Sequence, residues 1–316
     1  MQIIEDAEVR TLIDRREAIA VIERAYRAAA DGQAAVSAPA SMSLHGPVGA
    51  GTSFKVKGAM LAPEGVVGVR LIGDAEADPA GGTSYVYLLD ARTAMPRALV
   101  CEQWLHRLRT AVTGLVTCRA LAPAAVSSIS LVGTGRIAEE FVRIAAHAFP
   151  GIPVMVASRS RSRAAEAVRA WRDLTANPLI AADSIADAVR AGDIVVTLSD
   201  AAATLFAAAD IKPRALVCAM GGRHEFERDV LDAATHFVVD EIDFVCTAGS
   251  GAHWIASGQI KRQDLADRVS ATIGQVLLGR KTIRSDGRVL AIIQGMAICD
   301  VALATLAFER KTRTRS

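Results

Sequence analysis

The stretch SISLVGTGRIAEEF, residues 128–141, decides the fold. Residues 129–132 suit a buried strand, Gly133-Thr134-Gly135 break it, and a helical pattern follows. With Ala138 in the third position this is a G-x-G-x-x-A fingerprint, and its context predicts strand, turn, helix and a second strand ending near Ser158. The first glycine permits the tight turn, and the second lets backbone approach a pyrophosphate. The helix start offers N–H groups and a partial positive charge to an anion. Gly133, Thr134, Gly135, Arg136 and Ile137 are therefore candidate cofactor contacts. A glycine turn in an α/β sheet that holds no ligand is the plain alternative.

Downstream, strands are expected at 129–132, 154–158, 179–182, 193–198, 215–220 and 236–240, separated by helical segments such as AEEFVRIAAHAF and SRAAEAVRAWRDL. That alternation predicts a Rossmann-type, doubly wound parallel sheet covered on both faces. A long helix at 262–279, a last strand in RVLAIIQG and a final helix in MAICDVALATLAFER complete the reading. The end of the second strand selects the cofactor. A dinucleotide unit that prefers NAD usually places Asp or Glu there, on the ribose 2′-hydroxyl. This chain has Ser158-Arg159-Ser160-Arg161, which suits a 2′-phosphate, so NADP is favoured with NAD as the second choice. The other reading of these arginines is a solvated helix start. Ser158, Arg159 and Ser160, with Thr197, Met220 and Gly221, complete the candidate cofactor contacts.

Upstream, the texture differs. Residues 14–30 read as an amphipathic helix, with Asp14 and Glu17 resembling a capping box and Gly32 beyond its end. From 53 to about 102 strands dominate. TSFKVKGAML and GVVGVRLIG are joined by a Pro-Glu-Gly turn, and TSYVYLLD and PRALVCE flank the hairpin loop ARTAM. Short turns between consecutive strands predict a largely antiparallel sheet. WLHRLRTAVTGLVTCRALA follows as a helix that ends at Pro123. Within it Arg109 is surrounded by Ala111, Val112 and Leu115. A buried guanidinium is costly unless it meets an anion, and its fork suits a carboxylate or phosphate. The anion is either a ligand's or that of an internal Asp or Glu.

The bulk numbers exclude several classes. A 316-residue chain suits two domains; a net charge of +2 argues neither for nor against any partner, and nucleic-acid binding, which would need a clustered basic face, is not expected. Five scattered cysteines without a CxxC pair read as reduced, mostly buried thiols, which points to the cytoplasm. The six histidines lack metal-ligand spacing, so no metal is expected. The N-terminus has no signal-peptide pattern, and no apolar run approaches roughly 18 residues, so no membrane span is expected.

The order of VKGAML, GVVGVRLIG, VYLLDARTAMPRAL, LRTA, LVGTG and GMAICD resembles the ornithine cyclodeaminase and mu-crystallin family over nearly the whole chain. The resemblance implies a smaller α+β substrate-binding and dimerisation domain made of residues 1–120 with 295–316. The Rossmann domain then spans 121–294. It also implies a homodimer and NAD(P)-linked chemistry on an amino acid or its cyclic imine. Arg109 matches the arginine that grips the substrate carboxylate, Thr110 a residue near the cofactor phosphates, and Lys57 a lysine near the substrate. The chain also departs from the pattern. Arg70 stands where the family usually has lysine, and it does not release a proton at neutral pH, its pKa being above about 12. Ala40 and Ser41 stand near another expected arginine, Arg223 follows Gly221-Gly222 where cyclodeaminases carry Asp, and Ile293 or Gln294 stands at a usual serine.

These readings together predict an NAD(P)H-dependent oxidoreductase that reduces an α-imino (cyclic ketimine) or α-keto acid, or oxidises the matching amino acid. Arg109 orients the carboxylate, Arg70 adds charge, and Lys57 is the expected proton donor, its pKa lowered by burial beside arginines. His106 and His224 are weaker candidates. The alternatives are a cyclodeaminase-type lyase that recycles NAD internally, and a protein that holds NADP and a small effector without turnover. Substrate selection is expected from loops at 40–50, 74–82 and 223–228.

Overall fold

The computed structural model describes residues 1–45, 52–75, 83–201, 203–284 and 286–314. Of the loops at 40–50 and 74–82, residues 46–50 and 76–82 therefore fall outside the described residues. Two compact units form: Met1–Arg109 with Met296–Ser316, and Thr110–Gly295. The division falls at Arg109/Thr110, inside a helix, rather than after residue 120.

The first unit runs β1 (Gln2–Ile4), α1 (Asp6–Leu12), α2 (Arg15–Ala30), β2 (Ala34–Val36), β3 (Met42–His45), β4 (Thr52–Leu61), β5 (Val66–Ala75), β6 (Thr83–Asp90) and β7 (Pro96–Cys101). Helix α3 (Gln103–Leu121) leads out of it. Its sheet has the order β1-β7-β6-β5-β4-β2, with β3 also on β4, and every pairing but β1–β7 is antiparallel. Side chains alternate along the strands, so one face carries the buried Lys57, Ala59, Leu61, Val66, Arg70, Val86, Leu88, Ala98 and Val100. The C-terminal helix, Ala297–Arg313, crosses β4 to β7 on the core side and packs against α2. It comes so close that a Cβ on Gly68 would lie 2.4 Å from Val301 Cγ2. On the outward face Phe54, Met60 and Leu71 are exposed, with Met42 and Leu44 on the neighbouring strand.

One local expectation changes. Asp14 caps α2 by accepting from the N–H groups of Arg16 and Glu17, but the Glu17 carboxylate does not close a capping box. It accepts from Arg310 at 2.7 Å instead, so an ion pair to the last helix replaces the local contact. At the β6–β7 hairpin, Asp90 accepts from the backbone of Arg92 and Thr93 and pairs with Arg97.

The second unit contains β8 (Ile129–Val132), α4 (Arg136–Ala145), β9 (Val154–Ala157), α5 (Arg161–Trp171), β10 (Leu179–Ala181), α6 (Ile185–Ala191), β11 (Ile194–Thr197) and β12 (Leu216–Ala219). There follow α7 (Asp229–Asp232), β13 (His236–Val239), α8 (Ile242–Val245), α9 (Gly249–Ala256), α10 (Arg262–Asp267), β14 (Ala271–Thr272), α11 (Ile273–Leu277) and β15 (Val289–Ile292). The C-terminal helix is thus α12. The sheet is parallel throughout, in the order β10-β9-β8-β11-β12-β15-β13-β14. Its order reverses beside β8, which makes the carboxyl ends of β8 and β11 the switch point where open α/β sheets bind ligands.

The single long helix expected at 262–279 is absent. Thr272 caps a new helix by pairing reciprocally with Gln275, and Ala271 and Thr272 join the sheet edge against Val238 and Val239. The β-branched pair Thr272-Ile273 favours that edge over helix continuation. All five cysteines are buried and free of disulfides. No helix among the described residues is long and apolar enough to cross a membrane.

Candidate active site

In the second unit the glycine turn sits at the carboxyl end of β8. Gly133 adopts φ +131°, and a Cβ there would lie 2.2 Å from the Leu198 carbonyl oxygen. Only glycine suits such a position. Gly135 is different. It is the exposed N-cap of α4, no side chain caps that helix, and a Cβ on it would meet nothing within 4 Å. The backbone at Gly135 is therefore open to an external group, and the following N–H groups are positioned for an anion. Thr134 and Ile137 are partly buried, Arg136 is exposed, and Ala138 is buried under the helix. These residues fit the pyrophosphate of a dinucleotide.

Past β9, Ser158 and Ser160 are partly buried and Arg159 is exposed. The Ser160 hydroxyl bonds that of Ser162 at 2.6 Å, and Arg161 pairs with Asp183 at 2.8 Å. At the ends of β11 and β12, Thr197 and Gly221 meet through a residue that sequence reasoning missed, Glu225. Its Oε2 accepts from the Thr197 hydroxyl at 2.6 Å and from the Gly221 N–H at 3.0 Å. Gly221 is packed rather than open, since a Cβ there would lie 2.3 Å from the Glu225 carboxyl carbon. Burial pushes the Glu225 pKa up to about 7 against the pull of those two donors. Met220 packs against Gly114 of α3. Thr110 is buried and hydrogen-bonded or otherwise paired. Arg223 and Gly222 are exposed.

In the first unit the three cationic candidates come together with His106, one of the weaker candidates, and with two unforeseen partners, Glu102 and Asp300. Lys57 and Arg70 stand opposite each other on β4 and β5, both buried. The Arg70 Nε donates to Glu102 Oε1, and Asp300 Oδ1 lies 3.7 Å from the same nitrogen. The Arg109 Nε donates to Asp300 Oδ1 at 2.7 Å. One Nη2 of each guanidinium reaches the same atom, His106 Nδ1, at 2.9 Å from Arg70 and 2.8 Å from Arg109. A nitrogen that accepts from two guanidiniums carries no proton, which fixes the neutral tautomer with its proton on Nε2. Burial, then the charges of Arg109 and Arg70, hold the His106 pKa well below the usual imidazole range.

Arg109 thus has an internal acid, one of the two anions its sequence setting allowed. The same signal would have found Asp300, an acid in the otherwise apolar MAICDVALA segment of α12. Glu102, closing the apolar strand PRALVC, was quoted but its burial carries no periodic mark. Glu102, His106 and Asp300 each bring one possible ligand atom within 4.8 Å of the others. A metal ion is disfavoured there, because both guanidiniums already hold these acceptors and Lys57 adds a further positive charge nearby.

The sequence model of the ornithine cyclodeaminase/mu-crystallin family matches residues 1–315. A Rhizobium meliloti protein named as a dehydrogenase is 27% identical over 321 residues, covering 98% of this chain and 95% of its own. The solved Thermococcus litoralis Δ1-pyrroline-2-carboxylate reductase, in complex with NADH and L-proline, superposes with a TM-score of 0.89 at 17% identity, covering 100% of this chain and 98% of its own. The iminosuccinate reductase of Paracoccus denitrificans, solved with NAD+, gives 0.86 at 22% identity, with 100% and 97% covered. At these identities the two structures establish the shared fold.

Proposed function

The chain belongs to the ornithine cyclodeaminase/mu-crystallin family, and on that premise we propose that it is a nicotinamide-dependent oxidoreductase. It reduces an α-imino acid, such as a cyclic ketimine, or an α-keto acid, or it oxidises the matching amino acid. The observation that carries this reading is the buried pair of guanidiniums, Arg70 and Arg109, gathered around His106 in the first unit. The reductase and dehydrogenase relatives point the same way.

The residues divide the work. Arg109 uses Nε on Asp300 and Nη2 on His106, so its fork is held rigid, and its remaining nitrogen faces the carboxylate of the substrate. Arg70, fixed in the same way by Glu102 and His106, adds a second positive charge. The His106 Nε2–H stays a neutral hydrogen-bond donor for the developing charge on nitrogen or oxygen, and Lys57 is the candidate proton donor. The turn from Gly133 to Ile137 holds the pyrophosphate, with Thr110 beside the phosphates. When bound, the reduced nicotinamide supplies the hydride. Ser158, Arg159 and Ser160, with no acid among them, favour NADP over NAD.

The exposed apolar face of β3, β4 and β5 supports a homodimer, since monomers seldom leave such a patch open. Five free, buried cysteines support a reducing, cytoplasmic location.

Loss of the nicotinamide absorbance, followed with NADPH and NADH against cyclic imines and against α-keto acids plus amines, tests the reading. Cofactor oxidation that depends on the acid supports it. Tight cofactor binding without turnover overturns it in favour of a binding protein. Conversion of a diamino acid without net change in cofactor overturns it in favour of a lyase.

A further inference from the structure

Glu102 and Asp300 are both fully buried, and each keeps one carboxylate oxygen, Oε2 and Oδ2, without a hydrogen-bond partner. Their other oxygens are held by Arg70 and Arg109, and Asp300 Oδ1 touches both guanidiniums. The groups facing Glu102 are Arg70 from β5, His106 and Arg109 from α3, and Asp300 from α12, with the buried Lys57 of β4 opposite Arg70. Two carboxylates so close in a dry interior resist ionising together, and an oxygen that lacks a donor is where a proton goes. Ionised, Glu102 and Asp300 cancel the charges of Arg70 and Arg109. With a proton on Glu102, one positive charge at the guanidiniums is left uncancelled.

From this arrangement we propose that Glu102 takes up a proton when an organic carboxylate binds at Arg70 and Arg109, so that substrate and proton enter the buried site together. The inference rests on the reading that these arginines hold the substrate carboxylate. Proton and anion favour each other by the same factor, because the coupling is reciprocal. Burial, opposed by Arg70 and reinforced by Asp300, already places Glu102 at about 7, inside the range where uptake is measurable. Reduction of a C=N bond consumes one hydride and one proton: the hydride bonds to carbon, the π pair moves to nitrogen, and nitrogen takes the proton. Lys57 remains the donor to nitrogen, and Glu102 releases its proton and becomes a carboxylate again when the organic acid leaves the arginines. Glu102 touches Arg70 rather than the substrate, so it is a positioning residue.

The test is calorimetric titration of the full chain, loaded with NADP+, using pyrrole-2-carboxylate as a non-reducible probe. Heats in two buffers of different ionisation enthalpy, between pH 5.5 and 9, give the protons taken up. We expect about one-half to one proton taken up near pH 8, little at pH 5.5, and affinity falling up to about tenfold per pH unit on the alkaline side. Glu102→Gln should bind the probe with no uptake and a flat pH profile, and Glu102→Asp should restore the uptake. Binding by the unaltered protein without uptake overturns the proposal and leaves the carboxylate site intact. Uptake that persists in Glu102→Gln overturns the assignment to Glu102. Absence of probe binding at every pH, with NADP+ still bound, overturns the carboxylate site itself and the proposal with it.

Discussion

Arg109 and Asp300 stand 191 positions apart in the chain, yet Nε and Oδ1 lie 2.7 Å apart, and neither side chain is more than 3% exposed. Removing one member of such a pair strands the other charge, at a cost of about 3–5 kcal/mol. Asp300→Asn is expected to lower stability by about that much in urea denaturation, whereas the double change Arg109→Met, Asp300→Leu should lose markedly less. Arg109→Lys keeps the charge but not the fork. It should lower kcat/KM for the acid by about 10²-fold or more, with cofactor affinity unchanged. A double variant that loses the sum of the two single-variant losses would show that the two residues are not coupled.

The two glycines of the turn should separate folding from binding. Gly133→Ala forces a Cβ onto the Leu198 carbonyl at an unfavourable φ, and we expect a melting temperature lowered by several degrees. Gly135→Ala meets open space, so its melting temperature should stay within about a degree or two while the cofactor Kd rises about tenfold or more. Unchanged cofactor affinity in Gly135→Ala would remove that backbone from the cofactor site.

Glu225 carries a pH signature. Its pKa rises from the ordinary 4.5 to about 7, so between those values the folded chain holds a proton that the unfolded chain has lost. Stability therefore falls as pH rises through that window, and the loss is complete above about 7. Glu225→Gln does not ionise. It should match the unaltered protein near pH 5 and exceed it at pH 8.5 by about 2–3 kcal/mol in urea denaturation. A gap that does not change with pH would show that Glu225 does not titrate in this range.

Arg159 is the test of cofactor choice. Arg159→Ala should weaken NADPH binding about tenfold or more and leave NADH within about twofold, as measured by fluorescence titration. Equal effects on both cofactors would make the arginine a solvated helix start.

The apolar sheet face predicts its own variants. Phe54→Asp with Leu71→Lys, both at positions more than 40% exposed, should convert a dimer to a monomer in light scattering while leaving the circular dichroism unchanged. A monomeric unaltered protein would overturn the homodimer.

Much of this fold was legible because its signals are local. The strand-turn-helix at 128–141 and the alternation of Lys57, Ala59 and Leu61 along β4 depend on neighbours within a few residues. The helix expected at 262–279 failed for a non-local reason: Ala271 and Thr272 are drawn to the sheet edge by Val238 and Val239. The site was half legible. Arg109 declared itself as a charge in an apolar helix. Its partner Asp300 carried the same mark, but no spacing links positions so far apart. Glu225 was hidden because Gly221 reads as a flexible turn, whereas it is glycine so that a carboxyl can sit against it.

The chain leaves the first unit after Arg109 and rejoins it only at Met296. On the ribosome, the inserted stretch 110–295 is complete before α12 has been synthesised. Until α12 emerges, the nascent sheet lacks both the Asp300 counter-charge and the Val301 side chain that fits over Gly68. The N-terminal segment is thus made first and finished last, and a product terminated before Met296 would be a natural target for chaperones or proteases.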